Sequence, residues 1–144
     1  MDDEKILIDW QDVNAGDGSR WDWTCALYAI QHPKKHELLY LGKADGTTVR
    51  SRWDADDKHE RVWKRIEGEK GIFDHRLIVG QLCVPTAARL TRQLMIDVES
   101  LLIHRIKPWA NTHCVKTRAL YRPGMVIYCQ GQWPLKRTTF RDER

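Results

Sequence analysis

The sequence predicts an α+β fold with a small, mainly antiparallel, three-stranded sheet flanked by helices. Two strand-like runs are joined by a five-residue loop that contains a proline, which is typical of an antiparallel hairpin. Polar helical segments follow, and then a third strand-like run and a long apolar helix. Because the order β-β-α-α-β-α has no repeat, it favours a layered structure of sheet and helices.

The strand-like runs cover residues 25–31, 37–42 and 76–84, and residues 125–129 are a candidate further strand. Thr47 and Thr48 are expected to cap a helix that carries Val49 and Trp53 on its apolar side. A polar helix is expected from about residue 58 to residue 67.

The long apolar helix is expected to begin after a cap at Thr86 and to run to about Ile106. Pro108 then stops it, because a proline cannot continue the backbone hydrogen bonds of a helix.

One domain is expected from 144 residues without a repeat or a low-complexity linker. Residues 1–24 hold seven acids and two bases, whereas residues 100–144 hold two acids and nine bases. We expect an irregular acidic arm over residues 1–24, a central module over residues 25–112 and a basic extension over residues 113–144 within the same globular unit. A basic end of this kind attracts phosphates.

Composition argues against a membrane partner and against a secreted disulfide framework. No apolar run approaches the roughly 18 residues that a membrane span needs. The four cysteines include no Cys-x-x-Cys pair, which indicates reduced thiols in a cytoplasmic protein. They are Cys25, Cys83, Cys114 and Cys129. The oligomeric state is not predicted.

Two tyrosines are expected to face each other across the hairpin. A loop symmetric about Lys34 places Tyr28 directly opposite Tyr40 on one face of the sheet. The other face would then be aliphatic, with Leu27, Ala29, Leu39 and Leu41. The pair has two interpretations at this point, a packing contact between aromatic rings and a pair of functional phenols.

One carboxylate falls within the apolar face of the long helix. The helical neighbours of Glu99 are all apolar, so its side chain is expected to point inward, while Asp97 is expected to be solvated. These neighbours are Met95, Ile96, Leu102 and Ile103. A buried carboxylate needs a positive partner. Two partners remain open, an arginine in an ion pair and a metal ion.

Five segments in chain order carry a resemblance to a known family. They are Ala26-Leu27-Tyr28, Tyr40-Leu41-Gly42-Lys43, Val49-Arg50-Ser51-Arg52-Trp53, Glu99-Ser100-Leu101-Leu102-Ile103 and Pro108-Trp109-Ala110-Asn111. Over residues 25–112 this ordered set resembles the catalytic module of the GIY-YIG nuclease family. Ala26 stands where the family has glycine and Leu41 where it has isoleucine, and neither change removes a reacting group.

The resemblance implies a metal-dependent DNA endonuclease that hydrolyses a phosphodiester by attack of water. Glu99 would be the sole protein side chain on a divalent cation, Mg²⁺ or, in its place, Mn²⁺. Tyr28 is the candidate base for the attacking water, and Lys43 would lower the pKa of that phenol. Tyr40 would position the water or the phosphate.

The family's arginine, which stabilises charge on the phosphate oxygens, matches Arg52 best, and Arg50 is the second choice. Asn111 would brace the site through hydrogen bonds. His59 is a further candidate acid, base or phosphate contact.

DNA is the expected partner of the basic extension. The candidate contacts to its backbone are Lys116, Arg118, Arg122, Lys136 and Arg137. The sequence leaves the choice between DNA and RNA open. The alternative function is a nucleic-acid-binding module of the same fold without turnover.

Overall fold

A computed structural model describes residues 5–14, 18–54, 58–74, 76–84, 90–111 and 124–142. Its strands are β1 (Lys5–Asp12), β2 (Thr24–Gln31), β3 (Leu38–Thr48), β4 (Arg76–Cys83), β5 (Val126–Gly131) and β6 (Thr139–Arg141). They form one mixed sheet in the order β3-β2-β4-β1-β5-β6, in which β1 and β5 are parallel and the other neighbours are antiparallel.

Within the described residues three α-helices accompany the sheet, namely α1 (Val49–Asp54), α2 (Lys58–Arg65) and α3 (Arg92–Ile106). A 3₁₀ turn at Ser19–Asp22 precedes β2, and a π-helical turn at Ile66–Lys70 continues α2. No helix within the described ranges is both long and apolar enough to span a bilayer.

The predicted three-stranded antiparallel sheet is wrong, although the α+β class holds. The described part of the chain has six strands, and β1 lies in the segment for which an irregular arm was expected. Alternate side chains of β1, those of Ile6, Ile8 and Trp10, are buried. This period of two is the signature of a strand with one face inward.

The cap predicted for the long helix is also wrong. Helix α3 begins at Arg92, and the hydroxyl of Thr91 accepts a hydrogen bond from the Leu94 N–H at 3.1 Å. Thr86 lies outside the described residues. The predicted end at Ile106 is confirmed, and Lys107 leaves the helix in a left-handed conformation with φ of 54°.

Helices cover both faces of the sheet. The apolar residues of α3 pack with Leu27, Ala29 and Leu41 on one face. Residues of α1 and α2, such as Val49 and Val62, pack with the alternate residues on the other face. Tyr28 and Tyr40 belong to this second cluster.

The β2–β3 register differs from the predicted one by two residues. Tyr28 pairs with Gly42, and Tyr40 pairs with Ile30. A shift of two preserves the faces, so both tyrosines still lie on one side of the sheet. The register also shifts next to Ile30, with the result that Leu38, rather than Leu39, joins the aliphatic face, and Leu39 packs on the tyrosine side.

Candidate active site

The first component of the site is the Tyr28 ring, which lies over Gly42. A Cβ atom at position 42 would be 2.7 Å from both Cζ and Oη of Tyr28. The rings of Tyr28 and Tyr40 are 6.4 Å apart between centroids, and the rings of Tyr28 and Trp53 meet nearly edge to face with centroids 5.8 Å apart. The glycine therefore allows the phenol to cross the outermost strand toward the free edge of the sheet.

Arg52 is the arginine that reaches the tyrosines. Helix α1 begins after Thr48, whose hydroxyl accepts a hydrogen bond from the Ser51 N–H at 3.1 Å, as the predicted cap requires. From this helix the Arg52 side chain makes a hydrogen bond with Tyr28, and its charge acts on both tyrosines.

Arg50, the second choice, projects to a different place. Its Nε lies 3.4 Å from Oδ1 of Asp22, and its guanidinium lies over the Trp21 ring at 5.6 Å from the centroid. The structure thus separates the two candidate arginines, although they are only two residues apart on one short helix.

Glu99 approaches the tyrosines from α3. Arg92, seven residues earlier, lies on the same side of the helix and pairs with Asp45 of β3 at 3.6 Å. This side of α3 therefore runs along the edge strand. From there the Glu99 charge acts on both Tyr28 and Tyr40. The expectation that Glu99 is buried is wrong, because its side chain is only partly covered.

Asp97 is the carboxylate that is fully buried, contrary to the expectation that it is solvated. Its exposed fraction is 0%, and its Oδ1 accepts a hydrogen bond from Gln93 Nε2 at 2.9 Å. The buried residues of α3 include Leu94, Ser100 and Ile103, which lie on different sides of the helix, so more than one side of it is covered. A single inward face therefore does not describe this helix.

Both phenols are held in the neutral form. Burial, the neighbouring Tyr40 and the Glu99 charge raise the pKa of Tyr28 well above its usual value, while Arg52 opposes the rise. Burial and Glu99 also raise the pKa of Tyr40. Tyr28 is therefore protonated near neutral pH in the ligand-free protein.

Lys43 is not among the groups that act on the Tyr28 pKa, and the lowering influence predicted for it comes from Arg52. Lys43 pairs with Leu27, which places it on the α3 side of the sheet. It lines a cavity of about 420 Å³ together with Arg52 and Arg92. Sequence analysis missed Arg92, for which the only signal is its position in the first turn of the helix that carries Glu99.

Asn111 braces the strand that carries Tyr40 and Gly42. Its Nδ2 donates to the Leu41 carbonyl at 2.8 Å, and its Oδ1 accepts from the Leu41 N–H at 2.9 Å. The adjacent Ala110 N–H donates to the Leu39 carbonyl at 2.8 Å. Because β3 is the first strand of the sheet, these bonds satisfy backbone groups that would otherwise lack a neighbouring strand.

Glu99 is the one predicted metal ligand. The described residues contain no group of three or more histidine, cysteine or acidic side chains that could hold a metal. Mg²⁺ commonly keeps several waters and binds through one or two carboxylates together with phosphate oxygens. A single carboxylate, with waters and phosphate oxygens completing the shell, fits that mode of binding.

The basic extension contributes to a second cavity, of about 510 Å³, near the end of α3. Lys136 and Arg137 line it with Arg105 and Lys107, which also belong to the basic residues 100–144, and with Lys70, which the sequence did not connect to them. Trp109 also lines this cavity, and Lys70 lies 5.1 Å from the centroid of its ring. We call this cavity the basic groove.

Four predicted residues have no described side chain. Lys116, Arg118 and Arg122 lie outside the described residues, and His59 lies in α2 but only its backbone is described.

Comparison with known proteins gives no match: no family model, no curated protein and no solved structure is significantly similar to this chain. The functional argument therefore rests on the residues of the site and on their geometry.

Proposed function

We propose that this protein is a metal-dependent endonuclease that hydrolyses phosphodiester bonds in DNA. The observation that carries the proposal is that Arg52 and Glu99 act on the same two phenols, those of Tyr28 and Tyr40. The four residues come from α1, α3, β2 and β3. An arginine, a carboxylate and two neutral phenols at one edge of a sheet form a set suited to a phosphate and a cation.

Arg52 would bind the scissile phosphate. A guanidinium offers a planar set of donors that matches two phosphate oxygens, and such donors are most effective where charge develops in the transition state. The cavity beside Arg52 is also lined by Lys43 and Arg92, so its charge favours a polyanion.

Glu99 would hold Mg²⁺, or Mn²⁺ in its place, with waters and phosphate oxygens completing the shell. When bound, the cation supplies Lewis-acid stabilisation of negative charge on the phosphate and the leaving oxygen.

In the reaction, the oxygen of water forms a bond to phosphorus and the bond from phosphorus to the 3′ oxygen breaks. One proton leaves the water, and one is taken up by the 3′ oxygen. The neutral Tyr28 and Tyr40 hydroxyls can orient the water and the phosphate by hydrogen bonds. Tyr28 can accept a proton only after losing its own, and burial is the main cause that keeps it protonated. A cation on Glu99 would remove one further cause of the raised pKa and would act together with Arg52 to favour the phenolate.

The basic groove would carry the DNA backbone away from the reacting phosphate. The segment 108–111 connects the basic groove with the strand of the candidate site, because Trp109 lines the groove and Asn111 holds β3. Five lysines and arginines line the groove beside one acid, Glu37, which suits a chain of phosphates.

Plasmid cleavage by the wild type and by Glu99→Gln tests the proposal. With Mg²⁺ or Mn²⁺ the wild type should cut, and Glu99→Gln should be at least about 100-fold slower, because losing even a group that only supports a metal ligand costs about 10–100-fold. Glu69→Gln is the matched control, because it neutralises an exposed glutamate paired with Arg65. Equal cleavage by wild type and Glu99→Gln, or no cleavage by wild type, contradicts the proposal.

The second candidate is a nucleic-acid-binding module without turnover. It is favoured by one observation, that Tyr28 is held neutral and is thus a poor base in the free site. It predicts salt-dependent DNA binding that is the same with and without a divalent cation, and no cleavage.

A further inference from the structure

A third cavity, of about 460 Å³, is lined by three indoles. Trp21 comes from the 3₁₀ turn before β2, Trp53 from α1 and Trp63 from α2. We call it the tryptophan pocket. Among the described residues, it shares no lining residue with the basic groove or with the cavity beside Arg52. Its volume is within the range of about 300–1,000 Å³ that is usual for sites of small ligands.

The indoles are held in place by the protein itself. The rings of Trp53 and Trp63 meet nearly edge to face, with centroids 5.3 Å apart and an angle of 75° between the planes. The Trp21 Nε1–H donates to Asn14 Oδ1 at 3.0 Å. Because the protein's own contacts fix the rings, little side-chain freedom remains to be lost on binding.

The two arginines near the tryptophan pocket are each balanced by an acid. Arg76 lines the pocket and reaches Oδ2 of Asp74 with Nε at 3.1 Å and with Nη2 at 3.0 Å. The guanidinium of Arg50 lies 5.6 Å from the centroid of the Trp21 ring, and its Nε lies 3.4 Å from Oδ1 of Asp22. The two ion pairs therefore add no net charge to the pocket.

Asp12 leaves the tryptophan pocket with a net negative charge. This carboxylate lines the pocket from the end of β1, and its Oδ1 accepts a hydrogen bond from the Asn14 N–H at 2.8 Å. Within the described ranges no cation pairs with it, and no hydrogen bond engages its Oδ2. Asp12 and Trp21 both belong to residues 1–24, which hold seven acids and two bases.

A pocket that combines indole faces with an unbalanced carboxylate attracts cations and repels anions. The face of an aromatic ring carries negative charge density, and tryptophan binds cations best among the aromatic residues. Asp12 adds a formal negative charge to this attraction. A phosphate is repelled by the same charge, so the tryptophan pocket is not a continuation of the path proposed for DNA.

The chemistry of the lining also selects among cations. A primary ammonium carries three N–H donors and a guanidinium carries five, and an indole has no acceptor for any of them. Each donor that is buried without an acceptor costs free energy. A quaternary ammonium has the charge without the donors, and its methyl groups gain by being buried against the rings.

We infer that the tryptophan pocket binds a quaternary ammonium group between its indoles, with Asp12 as the counter-charge. This site is separate from the proposed nuclease site and does not rest on that function.

Binding of choline and of 3,3-dimethyl-1-butanol to the full chain tests the inference, because the two molecules have the same shape and only choline is charged. A proton NMR titration measures both affinities. The wild type should bind choline about 5-fold to 30-fold more tightly than the alcohol, as expected for a cation on partly desolvated indole faces. The methyl resonance of choline should move upfield, because the methyl groups lie over the rings. Equal affinity for the two molecules overturns the inference.

Trp63→Leu keeps an apolar side chain in the lining and removes one ring. It should reduce the preference for choline over the alcohol by at least about 2-fold. Phe73→Leu is the matched control, because it makes the same kind of change at a ring that is 71% exposed and does not line the pocket. An equal preference in the two variants contradicts a role of the indole.

Asp12→Asn tests the counter-charge without removing a ring. It keeps an oxygen for the Asn14 N–H and loses the negative charge. The affinity for choline should fall by about 2-fold to 5-fold, the effect of one partly exposed ion pair, while the affinity for the alcohol stays the same. Glu69→Gln removes the same charge from a glutamate paired with Arg65 outside the pocket and should change neither affinity. An unchanged choline affinity in Asp12→Asn overturns the inference.

A quaternary ammonium group can belong to a small molecule or to a trimethylated lysine of another protein. Choline, a short peptide with one trimethyllysine and the same peptide with unmodified lysine distinguish the two sources. Tighter binding of choline assigns the group to a small molecule, and tighter binding of the trimethyllysine peptide assigns it to a protein. If the unmodified peptide binds at least as tightly as both, the pocket recognises N–H donors and the inference is overturned. None of these measurements uses DNA or a divalent cation, so their outcome is independent of the proposed nuclease.

Discussion

Gly42 lies opposite Tyr28 on the neighbouring strand, and the tyrosine ring fills the space that a side chain at position 42 would need. Three side-chain atoms of Tyr28, Cζ, Oη and Cε2, lie within 2.8 Å of the Cβ position. The ring is itself enclosed by Tyr40 and Trp53, so it has little freedom to move aside. The glycine is thus part of the site through the space that it leaves empty.

Gly42→Ala should displace the Tyr28 ring and destabilise the protein by about 1–3 kcal/mol, the usual cost of adding a methyl group to a packed core. Urea unfolding measures the free energy, and near-ultraviolet circular dichroism reports on the ring. Gly68→Ala is the control, because a Cβ at position 68 meets nothing within 4 Å. Equal unfolding midpoints for Gly42→Ala and the wild type would contradict the packing described for Tyr28.

Asn111→Ala should loosen β3 at the point where it passes the tyrosines. The substitution leaves the N–H and the carbonyl of Leu41 without their partner, which costs about 1–3 kcal/mol for each buried group left unsatisfied. Hydrogen exchange of the Leu41 amide should accelerate. Asn14→Ala, which removes an exposed hydrogen bond to Trp21, is the control and should leave that amide unchanged. An equally slow Leu41 amide in Asn111→Ala would show that Asn111 does not brace the strand.

The hairpin shows which parts of the fold a sequence of this kind reveals. Alternation with a period of two placed Tyr28 and Tyr40 on one face, and it does so for any register shifted by an even number. The register itself was mispredicted because the irregular pairing near Ile30 inserts Leu39 on the tyrosine side. A symmetric loop model has no means of anticipating that insertion.

The strands added to the predicted sheet were missed for a different reason. In β1 the consecutive apolar residues Ile6, Leu7 and Ile8 concealed the alternation that continues to Trp10. Strand β6 has only three residues, too few for a pattern. Strand β1 pairs with β4 and β5, which lie far away in the chain, and local patterns carry no information on such pairing.

The residues of the candidate site were easier to predict from the sequence than the sheet was, because their prediction uses the order of the motifs and not the pairing of the strands. The burial of the carboxylates on α3 was not predicted correctly. Asp97 is buried and Glu99 is partly exposed, the reverse of what the helical spacing predicted. The reason is that buried residues of α3, such as Leu94 and Ile103, lie on opposite sides of the helix.

Arg52→Lys and Arg50→Lys form a matched pair on one helix. The first should lower the cleavage rate by at least about 100-fold, because an ammonium group does not reproduce a planar pair of donors at the phosphate. The second should stay within a few-fold of the wild type, because Arg50 is paired with the exposed Asp22. Single-turnover rates at saturating enzyme make the comparison. A larger loss of rate in Arg50→Lys than in Arg52→Lys would show that Arg50, and not Arg52, binds the scissile phosphate.

The stability of the protein should fall at alkaline pH in part because of Tyr28. Its pKa is raised above the usual value of 10.0 in the folded state. As the pH rises through 10, the unfolded chain therefore loses this proton while the folded protein keeps it. The free energy of unfolding then falls by at most about 1.4 kcal/mol per pH unit for one such group.

Tyr28→Phe should show a shallower fall in stability above pH 10 than the wild type, with no change in slope between pH 7 and pH 9. Urea unfolding at a series of pH values measures it. Tyr128→Phe is the control, because it removes the same hydroxyl from β5. Identical slopes for the wild type and Tyr28→Phe above pH 10 would mean that the Tyr28 hydroxyl is not buried.

The basic groove should determine how strongly DNA binding depends on salt. Each phosphate contact that is removed lowers the slope of log K against log salt concentration by about 1. The double variant Lys136→Gln, Arg137→Gln should therefore lower the slope by up to about 2. The variant Lys34→Gln, Lys35→Gln removes the same charge from the exposed loop between β2 and β3, outside the groove lining. If the two double variants lower the slope equally, the attraction comes from net charge, and the groove is not the path of the DNA backbone.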